Sequence, residues 1–182
     1  SNFMAGVEQS FLDEIAEATG KDPIDFRLDL LQRAKENPVG EENDYDPDRL
    51  AGVLKMVREK SNWGKQESGV YRGVAAYFCH NSYAAHVVDV VMDQGLPKVE
   101  KVVCAVDCGI VVNPDAASNM AEGGIVDGIG NAMYGVLSFK DGKPEQSNFD
   151  NYRIIRNSEA PKQIEVYFVE NHDLPIIDLS GN

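Results

Sequence analysis

The stretch from Val102 to Gly135, reading VVCAVDCGIVVNPDAASNMAEGGIVDGIGNAMYG, constrains this chain more than any other part of its sequence. A run rich in β-branched residues passes through Asn-Pro-Asp into a helical pattern loaded with glycine. The glycines are Gly123, Gly124, Gly128, Gly130 and Gly135. Each glycine inside a helix costs roughly 1 kcal/mol relative to alanine. A plain hydrophobic core does not need this pattern, so we expect another group to come very close to this backbone.

The start and middle of this helix each allow two interpretations. Asn113 and Pro114 suit a helix start, which predicts either an ordinary cap or a position where a phosphate binds. The spacing of Gly124 and Gly128 lets a helix approach another backbone or pack closely on a sheet. Glu122 is the carboxylate that stands out, and it predicts either a polar partner with a task or a hydrogen bond to neighbouring backbone.

Length and composition favour one well-buried domain, alone or with a helical extension, because the chain has 182 residues and is 43% hydrophobic. The formal charge of −13 argues against nucleic acid as a partner, since phosphate binding needs clustered lysine and arginine. No stretch approaches the ~20 apolar residues that span a bilayer, and the N-terminus lacks signal-peptide features. The cysteines, Cys79, Cys104 and Cys108, are too few and scattered for a disulfide framework, so we expect free buried thiols.

The motifs of several enzyme classes are missing. Gly128-Ile129-Gly130 lacks the third glycine of a dinucleotide fingerprint, and neither a phosphate loop nor a G-x-S-x-G motif occurs. Cys104 and Cys108 fall in a predicted strand, where four residues separate side chains by ~13 Å, too far to share a zinc ion. The histidines at positions 80, 86 and 172 have no recognised ligand spacing. The sequence therefore predicts no metal ligands.

Helices are predicted before the β-rich part of the chain, from apolar residues at helical spacing and from the residues at their ends. The stripes are Val7, Phe11, Ile15 and Ala18, then Phe26, Leu30, Leu31 and Ala34, then Leu50, Val53, Leu54 and Val57. Gly20 is the predicted cap that ends the first helix. Asp22-Pro23 and Asp46-Pro47 each predict an aspartate N-cap followed by proline at the first helical position. Residues 36–47 predict an acidic surface loop.

From Gly69 the pattern changes to that of β-strands, with many β-branched and aromatic residues. The predicted strands are GVYRGVAAYFC, AAHVVDVVMD, KVEKVVCAVD, one that ends at SFKDGK, and QIEVYFVE. DQGLPK predicts a hairpin turn, and Asp141-Gly142 predicts another. Helices, then strands, one long helix and more strands indicate an α+β domain with helices packed on a mixed sheet.

These stretches, taken in order, resemble the large, molybdenum-binding subunit of the xanthine dehydrogenase and aldehyde oxidase family, nearest to its isoquinoline 1-oxidoreductase beta branch. The resemblance lies in KVVCAVDCGIVVNPDAASNMAEGGIVDGIGNAMYG, VEQSFLDEIAEATGKDPIDFRLDLL, GVAAYFCHNSYAAHVVDVVMD and NFDNYRIIRNSEAPKQIEVYF, which cover nearly the whole chain. It implies a two-layer molybdopterin-binding domain. Residues 1–62 are then a helical N-terminal region, and residues 63–182 are the α+β part.

Members of this family hold a molybdopterin, often as the cytosine dinucleotide, and hydroxylate aldehydes or N-heterocycles with oxygen from water. The resemblance implies the same cofactor in the full-length protein, with a metal that creates a nucleophile and a glutamate that acts as base. Electrons leave through iron–sulfur clusters. The implied partners are therefore the rest of the large subunit and an iron–sulfur small subunit, without nucleic acid or a membrane span.

The resemblance also implies which residues line the cofactor. They are Asp107, Cys108, Gly109, Asn113, Pro114, Glu122, Gly123 and Gly124. Family members usually have a cofactor-contacting glutamine two positions before the motif's glutamate, where this chain has Met120. Their catalytic glutamate lies in a Gly-x-Gly-Glu-Pro segment after the last strand, where this chain reads NHDLPIIDLSGN. No residue is assigned as catalytic or as a metal ligand.

The resemblance thus implies one cofactor-binding domain of a subunit several times longer, inactive in isolation and binding cofactor weakly or not at all. Met120 and the missing glutamate favour an alternative, a non-catalytic remnant or interaction domain that keeps the fold without the cofactor. A third possibility is an unrelated α+β protein, which any structure other than a helix packed on a sheet at residues 113–135 would support. The compartment stays open between cytoplasm and periplasm.

Overall fold

The computed structural model describes residues 2–38, 45–65 and 67–171 and has the predicted α+β architecture. Its α-helices are α1 (Asn2–Ala18), α2 (Pro23–Glu36), α3 (Pro47–Lys60) and α4 (Pro114–Tyr134). Its strands are β1 (Val70–Cys79), β2 (Ser82–Asp93), β3 (Leu96–Asp107), β4 (Phe139–Lys140), β5 (Lys143–Pro144) and β6 (Gln163–Phe168). A short 3₁₀ helix spans Asn157–Glu159.

The chain forms two compact units. The first contains residues 1–112 and 163–182, and the second contains residues 113–162. The first unit therefore holds α1 to α3 and the main sheet, and the second holds α4 and a small hairpin. The predicted boundary between residues 62 and 63 stays a prediction.

The starts of α2 and α3 follow the sequence prediction. Asp22 Oδ1 accepts hydrogen bonds from two N–H groups of the first turn at 2.9 and 3.0 Å, and Pro23 takes the first helical position. Asp46 Oδ1 does the same for α3 at 2.8 and 3.3 Å. Each such cap contributes roughly 1 kcal/mol to stability. Gly20, at φ +65°, follows the end of α1 in the left-handed conformation expected of a helix-ending glycine.

The apolar stripe predicted for α1 does not face the core. Val7 and Phe11 are 67% and 59% exposed, whereas Gln9 and Ala16 are buried. Gln9 Oε1 accepts hydrogen bonds from Arg27 Nε at 2.9 Å and from the backbone N–H of Ala76 in β1 at 3.0 Å. Polar contacts to α2 and to the sheet therefore set the orientation of α1.

The predicted stripe of α2 is partly wrong. Leu31 is buried, but Leu30 and Ala34 are exposed, and Ile24 and Arg27 are buried instead. The buried face of α2 differs from the predicted apolar stripe because Arg27 turns inward and its guanidinium donates to Gln9 on α1. The stripe of α3 is confirmed: its fully buried residues are Val53, Leu54 and Val57, and Leu50 packs against the same core.

The main sheet is mixed, with strand order β1-β2-β3-β6. β1, β2 and β3 pair antiparallel, and β6 pairs parallel to β3. The predicted DQGLPK turn joins β2 to β3 through Gln94 and Gly95, at φ 51° and 83°. His80 and Asn81 join β1 to β2 with φ 49° and 54°. Positive φ at both central positions suits the tight turns of twisted hairpins.

The core of the first unit lies between the sheet and the helices α2 and α3. Its buried members are Ile24, Leu31, Val53, Leu54, Val57, Val74, Ala76, Tyr83, Ala85, Val87, Val103 and Ala105. Tyr83 has the largest fully buried side chain. Ring contacts to Tyr45 and Phe78, at centroid distances of 6.3 and 4.9 Å, place Tyr83 in an aromatic cluster. This cluster lies next to the carboxyl end of β3, because Tyr83 pairs in register with Asp107.

The second unit contains the predicted helix and the predicted Asp141-Gly142 turn. Asp141 and Gly142 have φ 51° and 74° and join β4 to β5. The strand that the sequence predicted before this turn is only two residues long.

The cysteines are free thiols, as predicted, but they differ in burial. Cys104 is 1% exposed in the middle of β3, and Cys108 is partly buried. Cys79 is exposed, so the prediction of a buried thiol is wrong for this residue. The reason is its position at the end of β1, directly before a turn.

Candidate functional site

The residues predicted to bind cofactor occur in both units. They are Asp107, Cys108 and Gly109 in the first unit, and Asn113, Pro114, Glu122, Gly123 and Gly124 in the second. The first three are consecutive and begin at the last residue of β3, and they are called here the 107–109 turn. In the second unit, Glu122 follows Pro114 on α4 by about 12 Å along the axis, at ~1.5 Å per residue.

Asp107 is a buried carboxylate with several donors around it. Its side chain is 1% exposed. Arg49 donates from Nε to Oδ2 at 3.1 Å and from Nη2 to Oδ1 at 2.7 Å. Asn171 Nδ2 donates to Oδ2 at 2.6 Å, and the backbone N–H of Gly109 donates to Oδ1 at 3.4 Å. The carboxylate is therefore occupied by the protein itself.

No pattern in the sequence indicates Arg49 or Asn171 as part of the site. Arg49 lies near the start of α3, and Asn171 follows β6. Both meet Asp107 only because the fold brings α3 and β6 to the same end of β3. No spacing within the sequence indicates such a contact.

The charges around the 107–109 turn shift the pKa values of its acidic groups. Burial opposes ionisation of Asp107, but hydrogen bonds from Arg49 and Asn171 together with the Arg49 charge outweigh it and hold its pKa below the usual value. Burial, and then the charge of Asp107, raise the pKa of the Cys108 thiol. At neutral pH the turn therefore carries a paired carboxylate and a protonated thiol.

Gly109 adopts a backbone conformation that favours glycine. Its φ is +76°, and the residue is buried. A side chain at this position would be strained in the left-handed region. The glycine in the Asp-Cys-Gly sequence thus has a local structural reason, independent of any ligand.

The start of α4 is the cap that the sequence predicted. Asn113 Oδ1 accepts a hydrogen bond from the backbone N–H of Ala116 at 3.1 Å, and Pro114 occupies the first helical position. Asp115 places a negative charge in the first turn, where it complements the helix dipole. The cap is confirmed, whereas binding of an anion here stays a prediction.

Part of the glycine pattern of α4 has no packing explanation within the described residues. An added Cβ at Gly123, Gly124 or Gly128 meets no described atom within 4 Å. We call these three residues the open glycine face. Alanine would be tolerated there and would favour the helix by roughly 1 kcal/mol per site. The close approach predicted from the sequence is therefore not made by any described residue of the second unit.

Two further glycines are explained by packing inside the second unit. A Cβ at Gly130 would lie 2.8 Å from Ile155 Cγ2, and one at Gly135 would lie 2.8 Å from the backbone oxygen of Asn131. At Gly135 the Tyr152 hydroxyl is also 3.3 Å away. The glycines near the C-terminal end of α4 thus serve the fold.

Glu122 and Met120 are both accessible on α4. Glu122 is half-buried and makes no hydrogen bond or ion pair to any residue that the structure describes. This outcome does not support the alternative of a hydrogen bond to neighbouring backbone. Met120, which stands where family members usually have glutamine, is 79% exposed.

Within residues 2–38, 45–65 and 67–171, no group of three or more His, Cys, Asp or Glu side chains could hold a metal ion. No helix in these ranges is long and apolar enough to cross a bilayer. His86 lies in β2 and His80 in a turn, while His172 falls outside the described residues.

The sequence from residue 25 to residue 161 matches the molybdopterin cofactor-binding domain family. This match covers more than half of the chain, so the chain belongs to that family. The resemblance to molybdenum-binding subunits is confirmed, and the possibility of an unrelated α+β protein is removed.

Among known proteins, the chain is similar to isoquinoline 1-oxidoreductase subunit beta of Brevundimonas diminuta, with 32% identity over 169 residues. That similarity covers 90% of this chain and 20% of the relative. It is also 29% identical to the membrane-bound aldehyde dehydrogenase (pyrroloquinoline-quinone) of Gluconacetobacter polyoxogenes, over 94% of this chain and 23% of the relative. The chain therefore spans only about a fifth of the length of these relatives.

Among solved structures, the crystal structure of quinoline 2-oxidoreductase from Pseudomonas putida 86 aligns with a TM-score of 0.47 and 22% identity. The alignment covers 54% of this chain and 13% of that protein.

Proposed function

We propose that this chain is the molybdopterin-binding part of the large subunit of a molybdenum hydroxylase. The observation that carries the proposal is the open glycine face of α4, in a chain that belongs to the molybdopterin cofactor-binding family. Three such glycines within six positions of one helix cost helix stability without a benefit to the fold of the second unit, whereas α1 and α3 contain one open glycine each, Gly6 and Gly52. A bulky group that packs against this backbone accounts for them.

The residues present fit an anionic, bulky cofactor. Arg49 neutralises Asp107, so this carboxylate does not repel an anion from Cys108 and Gly109. We assign the cofactor contacts to the 107–109 turn, to Asn113 and Pro114, and to residues 122–124. When bound, molybdopterin supplies a redox-active metal centre that oxidises substrate with water as the oxygen source. The chain's own residues bind the cofactor, orient it and form part of its binding pocket.

The form of the cofactor and the substrate class are further parts of the proposal. We propose the cytosine dinucleotide form, and aldehydes or N-heterocycles as substrates. The names of the relatives support the substrate class, because they include an isoquinoline oxidoreductase and an aldehyde dehydrogenase.

The proposal includes partners, because the chain matches only a fifth of each relative. These are the rest of the large subunit and an iron–sulfur small subunit that removes electrons. No residue of this chain is assigned as the catalytic base. The isolated 182-residue chain is therefore expected to be inactive and to bind cofactor weakly or not at all.

Met120 favours a second candidate, a non-catalytic remnant that keeps the fold without the cofactor. Its thioether is a weak hydrogen-bond acceptor and, unlike the amide of glutamine, donates no hydrogen bond to a pterin. Under this candidate, the open glycine face is a leftover of an ancestral site.

Expression of the full reading frame in a host that makes molybdenum cofactors tests the proposal. We expect a frame several times longer than the chain, a purified protein that releases cytidine monophosphate on acid hydrolysis, and ¹⁸O from labelled water in the oxidised product. Dye reduction with aldehydes and N-heterocycles identifies the substrate class. A folded protein without molybdenum or pterin would support the remnant instead.

A further inference from the structure

The 107–109 turn is held by a side chain from α3, which contributes none of the predicted cofactor contacts. Arg49 grips the buried carboxylate of Asp107 with two nitrogens and also lies 3.3 Å from the Asp107 carbonyl oxygen through Nη2. We propose that Arg49 is a positioning residue that fixes this turn in the shape that receives molybdopterin. The inference rests on the proposed function of the turn.

Arg49 is itself held in place from two sides. Its guanidinium carbon lies 4.4 Å from the centroid of the Tyr83 ring. Tyr83 is fully buried, and its hydroxyl accepts a hydrogen bond from the backbone N–H of Asp46 at 2.6 Å. Tyr83 also pairs in register with Asp107 across β2 and β3. The planar guanidinium is therefore held in a fixed orientation, with two N–H donors directed at the carboxylate. A flexible ammonium group would not provide this geometry.

Asp107 connects Arg49 to the rest of the 107–109 turn through hydrogen bonds. Its Oδ1 accepts from Arg49 and from the backbone N–H of Gly109, while its Oδ2 accepts from Arg49 and Asn171. Without Arg49, a buried carboxylate would lose its counter-charge, and exposure to water would become favourable. Movement of Asp107 toward water would release the Gly109 N–H and free Cys108 between them.

The chain offers a matched control in a second pair, Arg72 and Asp89. Arg72 Nε and Nη2 donate to the two Asp89 oxygens at 2.7 and 3.0 Å. The two arginines are equally exposed, at 17% for Arg72 and 16% for Arg49, whereas Asp89 is 14% exposed and Asp107 is 1% exposed. Arg72 and Asp89 lie in β1 and β2, away from the 107–109 turn. Loss of Arg72 therefore tests the general cost of breaking such a pair.

The experiment compares the alkylation rates of the thiols in the folded 182-residue chain, residue by residue, by mass spectrometry. Cys79 is exposed and reports intrinsic reactivity, whereas Cys104 is buried and reacts only when the core opens. We expect Arg49→Met to raise the Cys108 rate relative to Cys79 by about tenfold, because the turn opens locally. Arg72→Met should change it by less than about twofold, and Cys104 should stay protected in both variants.

Electrostatics alone would have the opposite effect. The Arg49 charge lowers the pKa of the Cys108 thiol against the larger effects of burial and Asp107. Its removal would reduce the thiolate fraction and slow alkylation, so a faster rate reports opening of the turn. Arg49→Lys keeps the charge without the two-point contact, and we expect an intermediate rate. This variant also serves if Arg49→Met unfolds, which alkylation of Cys104 would reveal.

The second measurement is the pterin content of the protein purified from the full reading frame. We expect Arg49→Met to lose most of its pterin and Arg72→Met to retain it. Equal Cys108 rates in the two variants, or full pterin retention by Arg49→Met, would overturn the inference. If the wild-type protein carries no pterin, the proposed function fails, and the alkylation rates alone then decide whether Arg49 orders the turn.

Discussion

Two carboxylates of the glycine-rich region, Asp107 and Glu122, are used in different ways. Asp107 is buried and accepts hydrogen bonds from Arg49 and Asn171, whereas Glu122 has no polar partner among the described residues. A buried ion pair is costly to break because the remaining charge has no solvent. Asp107 therefore contributes to the stability and shape of the first unit, whereas contact between Glu122 and a cofactor stays a proposal.

Substitution Asp107→Asn tests the structural contribution of this pair. The amide keeps the size of the side chain but leaves Arg49 without its counter-charge, so the free energy of unfolding should fall by about 3 kcal/mol at neutral pH. Urea unfolding followed by circular dichroism measures the change. The control Asp29→Asn alters an exposed pair with Lys21 and should leave the transition unchanged. A similar loss in both variants would contradict this account of Asp107.

The pH dependence of this difference has a defined sign. The pKa of Asp107 in the folded chain lies below its usual value near 3.8. The contribution of ionised Asp107 to the free energy of unfolding is therefore present above about pH 4 and is lost as the pH falls through the folded pKa. The two unfolding curves should accordingly converge in acid.

Protonation of His86 is expected to cause a separate loss of stability at mildly acidic pH. Burial lowers its pKa from 6.5 to about 4. The unfolded chain then binds more protons between these values, so stability falls as the pH decreases from about 6.5 to 4. The His86 side chain is only partly buried. We therefore expect the free energy of unfolding to fall by about 1–2 kcal/mol across this pH range. His86→Leu should flatten the stability profile in this window, and an unchanged profile would contradict the assignment.

At the scale of elements, local sequence predicted most of what the structure contains. Asp22, Asp46 and Asn113 each cap a helix through their own side chains, and such bonds depend only on neighbours in the sequence. The face that a helix buries depends on distant residues instead. The Arg27 and Gln9 contact between α1 and α2 is a polar interaction across 18 positions, so the apolar pattern did not reveal it.

The glycines of α4 separate into two groups with opposite expected responses to alanine. Gly124→Ala meets no described atom, so it should raise the free energy of unfolding of the 182-residue chain by about 0.5–1 kcal/mol. In the protein purified from the full reading frame, the same substitution should lower the pterin content. Gly130→Ala collides with Ile155 at 2.8 Å and should destabilise the chain. Urea unfolding and pterin fluorescence after denaturation measure the two effects.

Gly52 in α3 is the control for this experiment, since an added Cβ there also meets nothing within 4 Å. Gly52→Ala should stabilise the chain to a similar degree and leave pterin content unchanged. If Gly124→Ala retained pterin as fully as Gly52→Ala, the open glycine face would have no role in cofactor binding.

At the scale of the whole molecule, the family could be identified from the order of several motifs, whereas the contacts of the candidate site could not. Arg49 and Asp107 are 58 positions apart, and Asn171 is 64 positions from Asp107. Only the sheet order β1-β2-β3-β6, with α3 packed on it, brings them together.

Cofactor binding by this protein is measured by the pterin content after purification from its full reading frame. Molybdopterin is converted to a fluorescent oxidised pterin after denaturation and is compared with the amount of folded protein. We expect close to one pterin per chain, with molybdenum in similar amount. A well-folded protein that releases neither pterin nor molybdenum would contradict it.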